Sequence, residues 1–139
     1  MISSRDMGDL VEPAKTHLQA LLNAWSLAGY TILVTSTYRD SEAQDALYAR
    51  GRSTPGPIVT DARGGESFHQ YRCAMDVVPL INGKCDWTGS DPIWRQMIDI
   101  AHVQGITCGA DWATFHELCH FQWTGGLTLD DLKAGKTIV

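Results

Sequence analysis

The sequence predicts an α+β domain in which helices pack on a small antiparallel sheet. Apolar residues recur at helical spacing in two long segments, and short β-branched or apolar runs lie between and after them. The chain has 139 residues, of which 44% are hydrophobic and 19% are charged, a balance typical of one globular domain. We therefore expect a single domain over residues 1–139.

The first half of the chain predicts a helix followed by a strand. The helix is expected over residues 12–28, and Gly29 follows as its stop. Residues 30–35 (YTILVT) are rich in β-branched side chains and predict the strand. The buried face of the helix is predicted to comprise Leu18, Leu21, Leu22 and Trp25.

A second helix is predicted after this strand. Ser41 followed by Gln44 resembles a capping box, and Gly51 is expected to end the helix. Its apolar face is predicted to be Ala43, Ala46 and Leu47. Residues 51–65 then contain four glycines and two prolines, which indicates a long surface loop of the kind that often carries function.

The second half of the chain predicts two strands and two helices. Residues 74–80 form an apolar strand, and residues 120–123 form a shorter one. Ser90-Asp91-Pro92 indicates a helix start with Pro92 in the first helical position, and Gly105 indicates its end. The buried face of that helix is predicted to be Trp94, Met97, Ile98 and Ala101. A capping pattern from Thr128 to Asp131 predicts a small terminal helix.

Charge and cysteine content exclude several classes of protein. The net charge is −5, whereas a nucleic-acid binder needs clustered basic residues to contact phosphates. No apolar run has the length of a membrane span, and the N-terminus lacks the apolar core of a signal peptide, so synthesis in the cytoplasm is expected. The four cysteines form no CxxC pair, and reduced thiols are expected.

Two short segments carry the residue types of a metal site. ESFHQYRCAMDVVP places His69 seven residues before Asp76, and HELCHFQW places Glu117 three residues before His120. A catalytic zinc takes three protein ligands and leaves one position open. A carboxylate at the start of a buried strand also needs positive compensation, which a metal supplies. Glu117 falls in a predicted turn beside His120 and suits a general base that acts on water.

The spacing adds a structural condition and leaves other interpretations open. Residues an odd number apart on a continuous strand point to opposite faces, so a turn or bulge is expected between His69 and Asp76, at residues 70–73. Each motif alone is weak, since His69 taken singly fits a loop histidine and Asp76 a surface or capping residue. The combination of the two motifs, in the order His, Asp, Glu, His, favours the metal site.

These segments resemble a known family. Ser67 to Asp76 is similar to the S-x-H-x-x-G-x-A-x-D motif of zinc D,D-carboxypeptidases and dipeptidases and of phage L-alanyl-D-glutamate endopeptidases. Glu117 to Gln122 resembles the second motif of these enzymes, Ser36-Thr37-Tyr38-Arg39 resembles their S-x-Y-R, and Gly109 to Trp112 their G-x-D-W. The phage endolysins are particularly similar across LYARGRSTPGPIVTDARGGESFH, and the resemblance extends over residues 21–123.

The resemblance implies a role for each matched residue. His69, Asp76 and His120 would bind one zinc ion, and Glu117 would be the catalytic base. Arg39 would stabilise the oxyanion, although a surface ion pair at a helix start is the simpler interpretation of this residue alone. Ser67 would line the substrate site or support the ligands.

Three residues depart from the family pattern. Arg72 replaces a usual Gly, which costs about 1 kcal/mol or more if the position requires a positive φ. Cys119 replaces a usual Pro, and its place beside His120 makes it a conceivable alternative ligand, although adjacent strand residues face opposite ways. Glu117 replaces the Asp usual in endolysins, while Glu is common there in the dipeptidases. The subfamily therefore stays open.

The implied function is hydrolysis of the L-alanyl-D-glutamate bond in peptidoglycan stem peptides. The resemblance further implies a monomeric phage or prophage endolysin without a separate cell-wall-binding domain, which waits in the cytoplasm and reaches the periplasm through a holin. No nucleic acid or membrane partner is expected. The nearest alternative is a D-alanyl-D-alanine carboxypeptidase or dipeptidase with the same site.

Two further alternatives belong to other classes. The hedgehog signalling domain is similar to this family, so a non-catalytic zinc-binding domain is conceivable, although the presence of Glu117 and Arg39 favours an enzyme. A cysteine peptidase that uses Cys73 or Cys119 is less favoured because no oxyanion-hole motif is evident.

Overall fold

The fold is that of a small antiparallel sheet with helices packed against it, as the sequence predicts. A computed structural model describes residues 1–90 and 92–139. The helices are α1 (Ala14–Leu27), α2 (Ser41–Ala49), α3 (Pro92–Val103) and α4 (Leu129–Lys133). The strands are β1 (Ile32–Ser36), β2 (Ala74–Ile81), β3 (Lys84–Cys85), β4 (Thr107–Cys108) and β5 (His120–Gln122). Short 3₁₀ helices cover Met7–Asp9, Phe68–Tyr71 and Gly109–Asp111.

The strand order places β2 at the centre of the sheet. The order is β1-β2-β5-β4, all neighbours are antiparallel, and β3 pairs with the far end of β2. A register irregularity lies between Val34 and Ser36 of β1, beyond which Ser36 pairs with Asp76. A bulge of this kind re-aims the side chains that follow it. The centre of β2 is therefore flanked by strands on both sides.

One face of the sheet carries the hydrophobic core. Met75 of β2 lies opposite Phe121 of β5, and both are fully buried. The ring of Trp25 from α1 meets Phe121 edge to face, with centroids 4.9 Å apart, and its indole N–H donates to the carbonyl of Met97 in α3. Since side chains alternate along a strand, Asp76 and His120 point to the opposite face. The core thus fixes the strands that present the polar residues.

The helices lie within two residues of their predicted ends, but the cap and the buried face of α2 differ from the prediction, and Leu22 of α1 and Ile98 of α3 are half-buried and not buried. The N-cap of α2 is Asp40, whose carboxylate accepts from the amide of Ala43, and not Ser41 as the capping-box pattern suggested. Only Ala43 of the predicted apolar face is buried, whereas Ala46 is exposed and Leu47 half-buried. Gln44, which the capping box had assigned to the helix start, is fully buried instead.

The remaining predicted features lie close to their expected places. Helix α3 begins with Pro92, while the predicted Asp91 lies outside the described residues. Thr128 and Asp131 form the reciprocal capping box of α4. All four cysteines are free thiols. Within the described ranges, no helix combines the length and apolar composition that a membrane span requires.

Candidate metal centre

The register of the central strands brings Asp76 and His120 together. Asp76 lies directly opposite Ser36 on β1 and opposite His120 on β5. Side chains at directly opposed positions of antiparallel strands share one face with Cβ atoms about 4.5–5.5 Å apart. The Nδ1 atom of His120 lies 3.4 Å from Oδ1 of Asp76. Two of the predicted ligands therefore meet because their strands pair in this register.

His69 reaches the same carboxylate from the 3₁₀ helix Phe68–Tyr71. Ser67 caps this helix by accepting from the amide of His69, and Gln70 completes a capping box. The helix ends at Arg72, which has a left-handed backbone with φ of 59°. This turn is the reversal predicted at residues 70–73, and it places Nε2 of His69 3.2 Å from Oδ1 of Asp76. Arg72 thus adopts the positive φ at which the family usually has Gly.

Contacts on both sides of Arg72 hold this strained turn. The guanidinium lies 3.9 Å from the centre of the Tyr38 ring and donates to the carbonyl of Asp9. A cation–π contact contributes about 0.5–1 kcal/mol at exposed sites, which is comparable to the backbone cost. The departure from Gly therefore leaves the turn in place.

Hydrogen bonds behind the two histidines aim their lone pairs at Asp76. Nδ1 of His69 lies 2.6 Å from the carbonyl oxygen of Thr37, and Nε2 of His120 lies 2.8 Å from Oε1 of Gln122. Because both partners are acceptors, the hydrogens are assigned to these nitrogens. In the neutral rings, Nε2 of His69 and Nδ1 of His120 then carry lone pairs and face a carboxylate, which is also an acceptor. Such a cluster is satisfied by a cation.

The donor atoms fit a zinc ion. Donors of His69, Asp76 and His120 all lie within 4.8 Å of one another. Two ligands at tetrahedral angles around zinc, each about 2.0–2.1 Å from the ion, are about 3.3–3.4 Å apart. The two nitrogen-to-oxygen distances of 3.2 and 3.4 Å match this separation. Nδ1 of His120 is moreover buried without a hydrogen-bond partner among the described residues.

The charge state of the cluster suits metal binding. Burial by itself would raise the pKa of Asp76, but His69 and His120 hold that pKa well below its usual range. Burial lowers the pKa of His69, which favours the neutral ring that a metal requires. The aspartate is therefore ionised at neutral pH and the neutral form of the His69 ring is favoured, whereas burial would lower the pKa of His120 but Asp76 and Glu117 raise it.

Glu117 and Arg39 flank the three ligands, as the resemblance implied. Oε2 of Glu117 lies 3.6 Å from Nδ1 of His120, and burial raises the pKa of this carboxyl group. The chain turns between the two residues, with the amide of His120 donating to the carbonyl of Glu117. Nη1 of Arg39 lies 3.4 Å from Oδ2 of Asp76 and donates to Ser36. A base and a fixed positive charge therefore border the cluster.

Sequence reasoning missed the residues that support the site. Thr37 acts through its backbone carbonyl, which no side-chain pattern reveals. Gln122 lies two residues after His120 on one strand, so period-two spacing could have identified it. Gln44 accepts from Nε of Arg39 and from Gln70 and donates to the carbonyl of Ala62, which ties the arginine to the 51–65 loop.

The thiols take no part in this cluster. Cys119 precedes His120, but the donor group that contains His120 comprises only His69 and Asp76 among the described residues. Burial raises the pKa of Cys73 to about 12 and also raises that of Cys119, so both thiols are poor nucleophiles at neutral pH. The structure therefore gives no support to a cysteine peptidase.

An open cleft runs across the cluster and has two halves. The first half has a volume of about 350 Å³ and is lined by Phe68, Trp112 and Leu129, among others. The second half has a volume of about 690 Å³ and is bordered by Ile58, Trp87 and Cys119, among others. Arg39 and Glu117 line both halves. Ser67 lines the first half, and its role in binding substrate stays a prediction.

This fold and this donor set are those of a metallopeptidase, with three candidate ligands, a carboxylate and an arginine in an open cleft. Residues 60–123 match the peptidase family M15 description D-alanyl-D-alanine carboxypeptidase. The chain is also 33% identical, over 122 residues, to the peptidoglycan L-alanyl-D-glutamate endopeptidase CwlK of Bacillus subtilis (strain 168), with 82% of this chain and 73% of CwlK covered. The chain belongs to this M15 peptidase family.

Solved structures share the fold. The L-Ala D-Glu endopeptidase ChiX of Serratia marcescens superposes with a TM-score of 0.61 at 20% identity, covering 95% of this chain and 92% of ChiX. A vancomycin resistance D,D-pentapeptidase VanY in complex with Zn(II) gives a TM-score of 0.59 at 19% identity, covering 90% of this chain and 78% of VanY. At these identities the similarity establishes the architecture alone.

Proposed function

We propose that this peptidoglycan peptidase hydrolyses the L-alanyl-D-glutamate bond of stem peptides with one zinc ion held by His69, Asp76 and His120. The observation that carries the proposal is the convergence of one ring nitrogen from each of His69 and His120 on one carboxylate oxygen of Asp76, with Glu117 and Arg39 beside them. The choice of bond rests on the endopeptidase CwlK, which is 33% identical to this chain. The choice of zinc rests on the donor set and on the Zn(II)-bound VanY relative.

Each residue around the cluster has a separate role in the proposed hydrolysis. A zinc ion bound there would supply Lewis acidity and lower the pKa of the attacking water. Glu117 removes a proton from that water and later delivers it to the leaving amine, and its desolvated carboxylate is a stronger base than an exposed one. Arg39 donates to the carbonyl oxygen as negative charge develops there. Gln44 and Ser36 hold the guanidinium in place.

The biological setting is part of the same proposal. The resemblance of residues 21–123 to phage endolysins supports a monomeric phage or prophage lysis enzyme that is made in the host cytoplasm. Such an enzyme needs a holin or a similar route to reach the cell wall in the periplasm. Expression in a Gram-negative host with and without a co-expressed holin tests this setting, and lysis that requires the holin is the expected result.

A D-alanyl-D-alanine carboxypeptidase is the second candidate function. The family description matched by residues 60–123 carries this activity, and the same five residues would serve it. The two functions differ only in the bond that the cleft positions against the metal. Product analysis therefore separates them.

The deciding experiment is mass spectrometry of the products released from purified Gram-negative peptidoglycan, with and without a chelator. Chelator-sensitive release of peptides that begin with D-Glu supports the proposal, whereas release of D-Ala alone assigns the carboxypeptidase activity. The variant Glu117→Ala should release neither product, and the exposed Glu42→Gln, which does not line the cleft, serves as its control. Absence of both products with the wild type would instead support the non-catalytic zinc domain, and undiminished lysis by Glu117→Ala would exclude Glu117 as the base.

A further inference from the structure

The two halves of the cleft differ in charge. Besides the shared Arg39, the larger half is lined by Arg5 and Arg50, and its acidic residues are Asp76 and Glu117 of the centre itself. The smaller half contributes Asp61 and Glu66. The cleft is therefore polarised across the metal centre, with free cationic groups on one side.

Ion pairs increase the difference in charge between the two halves of the cleft. Asp61 pairs with Arg52 at 3.3 Å, and Glu66 pairs with Lys133 at 3.8 Å. Arg5 and Arg50 are exposed, and neither forms an ion pair within residues 1–90 and 92–139. The acids of the smaller half are thus partly neutralised, while the arginines of the larger half keep their charge for a ligand.

The fold places Arg5 beside the catalytic residues. Ser3 pairs as an antiparallel bridge with Arg39, and Ser4 exchanges backbone hydrogen bonds of 2.8 Å with Tyr38 and Thr37. Thr37 is the residue whose carbonyl orients His69. The N-terminal segment is therefore fixed along the strand end that carries the site, which sets Arg5 at the border of the larger half.

Arg50 approaches the larger half from the other side. It follows the last residue of α2 and forms a backbone bridge with Thr54, so it begins the 51–65 loop at a defined place. Ile58 and Trp87 of the same half are 49% and 57% exposed, which leaves apolar surface available between the charges. This combination suits a flexible chain that bears carboxylates on an apolar stem.

We infer that Arg5 and Arg50 form a carboxylate-binding subsite for the part of the substrate on the C-terminal side of the cleaved bond. The inference rests on the proposed function. In an N-acylated L-Ala-D-Glu peptide, the alanine side is uncharged, whereas D-Glu keeps one free carboxylate and the peptide ends in another. Guanidinium groups bind carboxylates through charge-assisted hydrogen bonds. The larger half therefore takes the D-Glu side, and the smaller half takes the acylated alanine.

Two synthetic peptides test this assignment. One is N-acetyl-L-Ala-γ-D-Glu-L-Lys-D-Ala, and the other is the same peptide with the D-Glu α-carboxylate and the C-terminus amidated. Each is assayed at L-Ala–D-Glu cleavage with the full chain and added zinc, using the wild type, Arg5→Gln, Arg50→Gln and the double variant. Arg95→Gln is the matched control because Arg95 is also exposed but lies on α3 and lines neither half of the cleft.

The expected result is a KM effect confined to the charged peptide. Each substitution should raise KM for the carboxylate peptide about 10-fold with kcat nearly unchanged, since the lost contact is made equally in ground and transition states. The amidated peptide should show a raised KM already with the wild type and no further change in the variants. Arg95→Gln should behave as the wild type on both peptides.

Other outcomes distinguish the subsite from the proposed function. Cleavage at L-Ala–D-Glu with an unchanged KM in the double variant overturns the subsite and leaves the function intact. An equal rise in KM for both peptides also overturns the subsite, because the arginines would then not distinguish a carboxylate from an amide. Release of D-Ala alone by the wild type overturns the proposed bond and, with it, this orientation of the substrate.

Discussion

A single residue, Gln122, decides which nitrogen of His120 is available to a metal. Its Oε1 accepts from Nε2 of His120 at 2.8 Å, and both side chains are buried. Without an acceptor at this place, the imidazole hydrogen can move to Nδ1, where it would block the lone pair that faces Asp76. Thr37 orients the ring of His69 in the same way, but it does so through its backbone carbonyl, which a side-chain substitution cannot remove.

We therefore expect Gln122→Leu to weaken zinc binding by about 10- to 100-fold, the usual effect of losing a hydrogen bond behind a metal-binding histidine. Competition with a chromophoric chelator measures this affinity directly and does not depend on catalysis. Gln122→Glu keeps an acceptor oxygen and should retain most of the affinity. Equal losses in the Leu and Glu variants would show that packing, and not the hydrogen bond, is what Gln122 supplies.

At the scale of elements, the segment from Gly109 to His120 depends on a close backbone approach. The amide of Glu117 donates to the carbonyl of Gly109. A Cβ atom at Gly109 would lie 2.5 Å from the carbonyl oxygen of Glu117 and 2.9 Å from Cβ of His120. The backbone of Glu117 cannot move away from such a Cβ atom without displacing the side chains of Glu117 and His120 together. Close packing therefore explains why the G-x-D-W segment has a glycine at position 109.

Gly109→Ala is expected to destabilise the fold by about 1–3 kcal/mol, as overpacking does, and also to weaken zinc binding. Gly105→Ala is the matched control, since its φ is +74° and a Cβ there meets nothing within 4 Å. That variant should lose about 1 kcal/mol from backbone strain and keep its zinc affinity. Urea unfolding and chelator competition measure the two quantities. Unchanged zinc affinity in Gly109→Ala would contradict the account of this segment.

At the scale of the whole molecule, the sequence predicted what depends on local pattern. Apolar runs predicted β2 and β5, and two short motifs together with the family resemblance predicted His69, Asp76 and His120 as the metal trio. The prediction for α2 was wrong at its N-cap because Asp40 and Ser41 are adjacent and both residue types suit that position. The capping box assigned there gave no hint that Gln44 contacts Arg39.

Long-range pairings were beyond the reach of the sequence. Ser3 lies 36 residues before Arg39, its bridge partner, and nothing in MISSRDMGDL indicates a strand. The register that sets Asp76 between Ser36 and His120 likewise depends on a bulge in β1 and on core packing of Met75 against Phe121. The candidate ligands could therefore be named from the sequence, whereas the placement of Arg5 in the cleft required the folded chain.

The convergent lone pairs also make folding and metal binding interdependent. The three predicted ligands come from a 3₁₀ helix and two strands, so only the folded chain presents them together. Zinc at 100 times its dissociation constant should therefore stabilise the native state by about 2.7 kcal/mol, which raises the melting temperature by roughly 5–15 °C. Differential scanning calorimetry of the chelator-treated protein, with and without added zinc, measures the shift.

A second cluster in the chain provides the control for this shift. Donor atoms of His102, Cys108 and Asp111 also lie within 4.8 Å of one another, but His102 and Asp111 are exposed and already paired at 2.6 Å. His69→Ala should abolish the zinc-dependent rise in melting temperature, and His102→Ala should leave it intact. A rise that survives His69→Ala and disappears in His102→Ala would place the stabilising ion at the second cluster. The convergence of the ring nitrogens of His69 and His120 on Asp76 would then need another explanation.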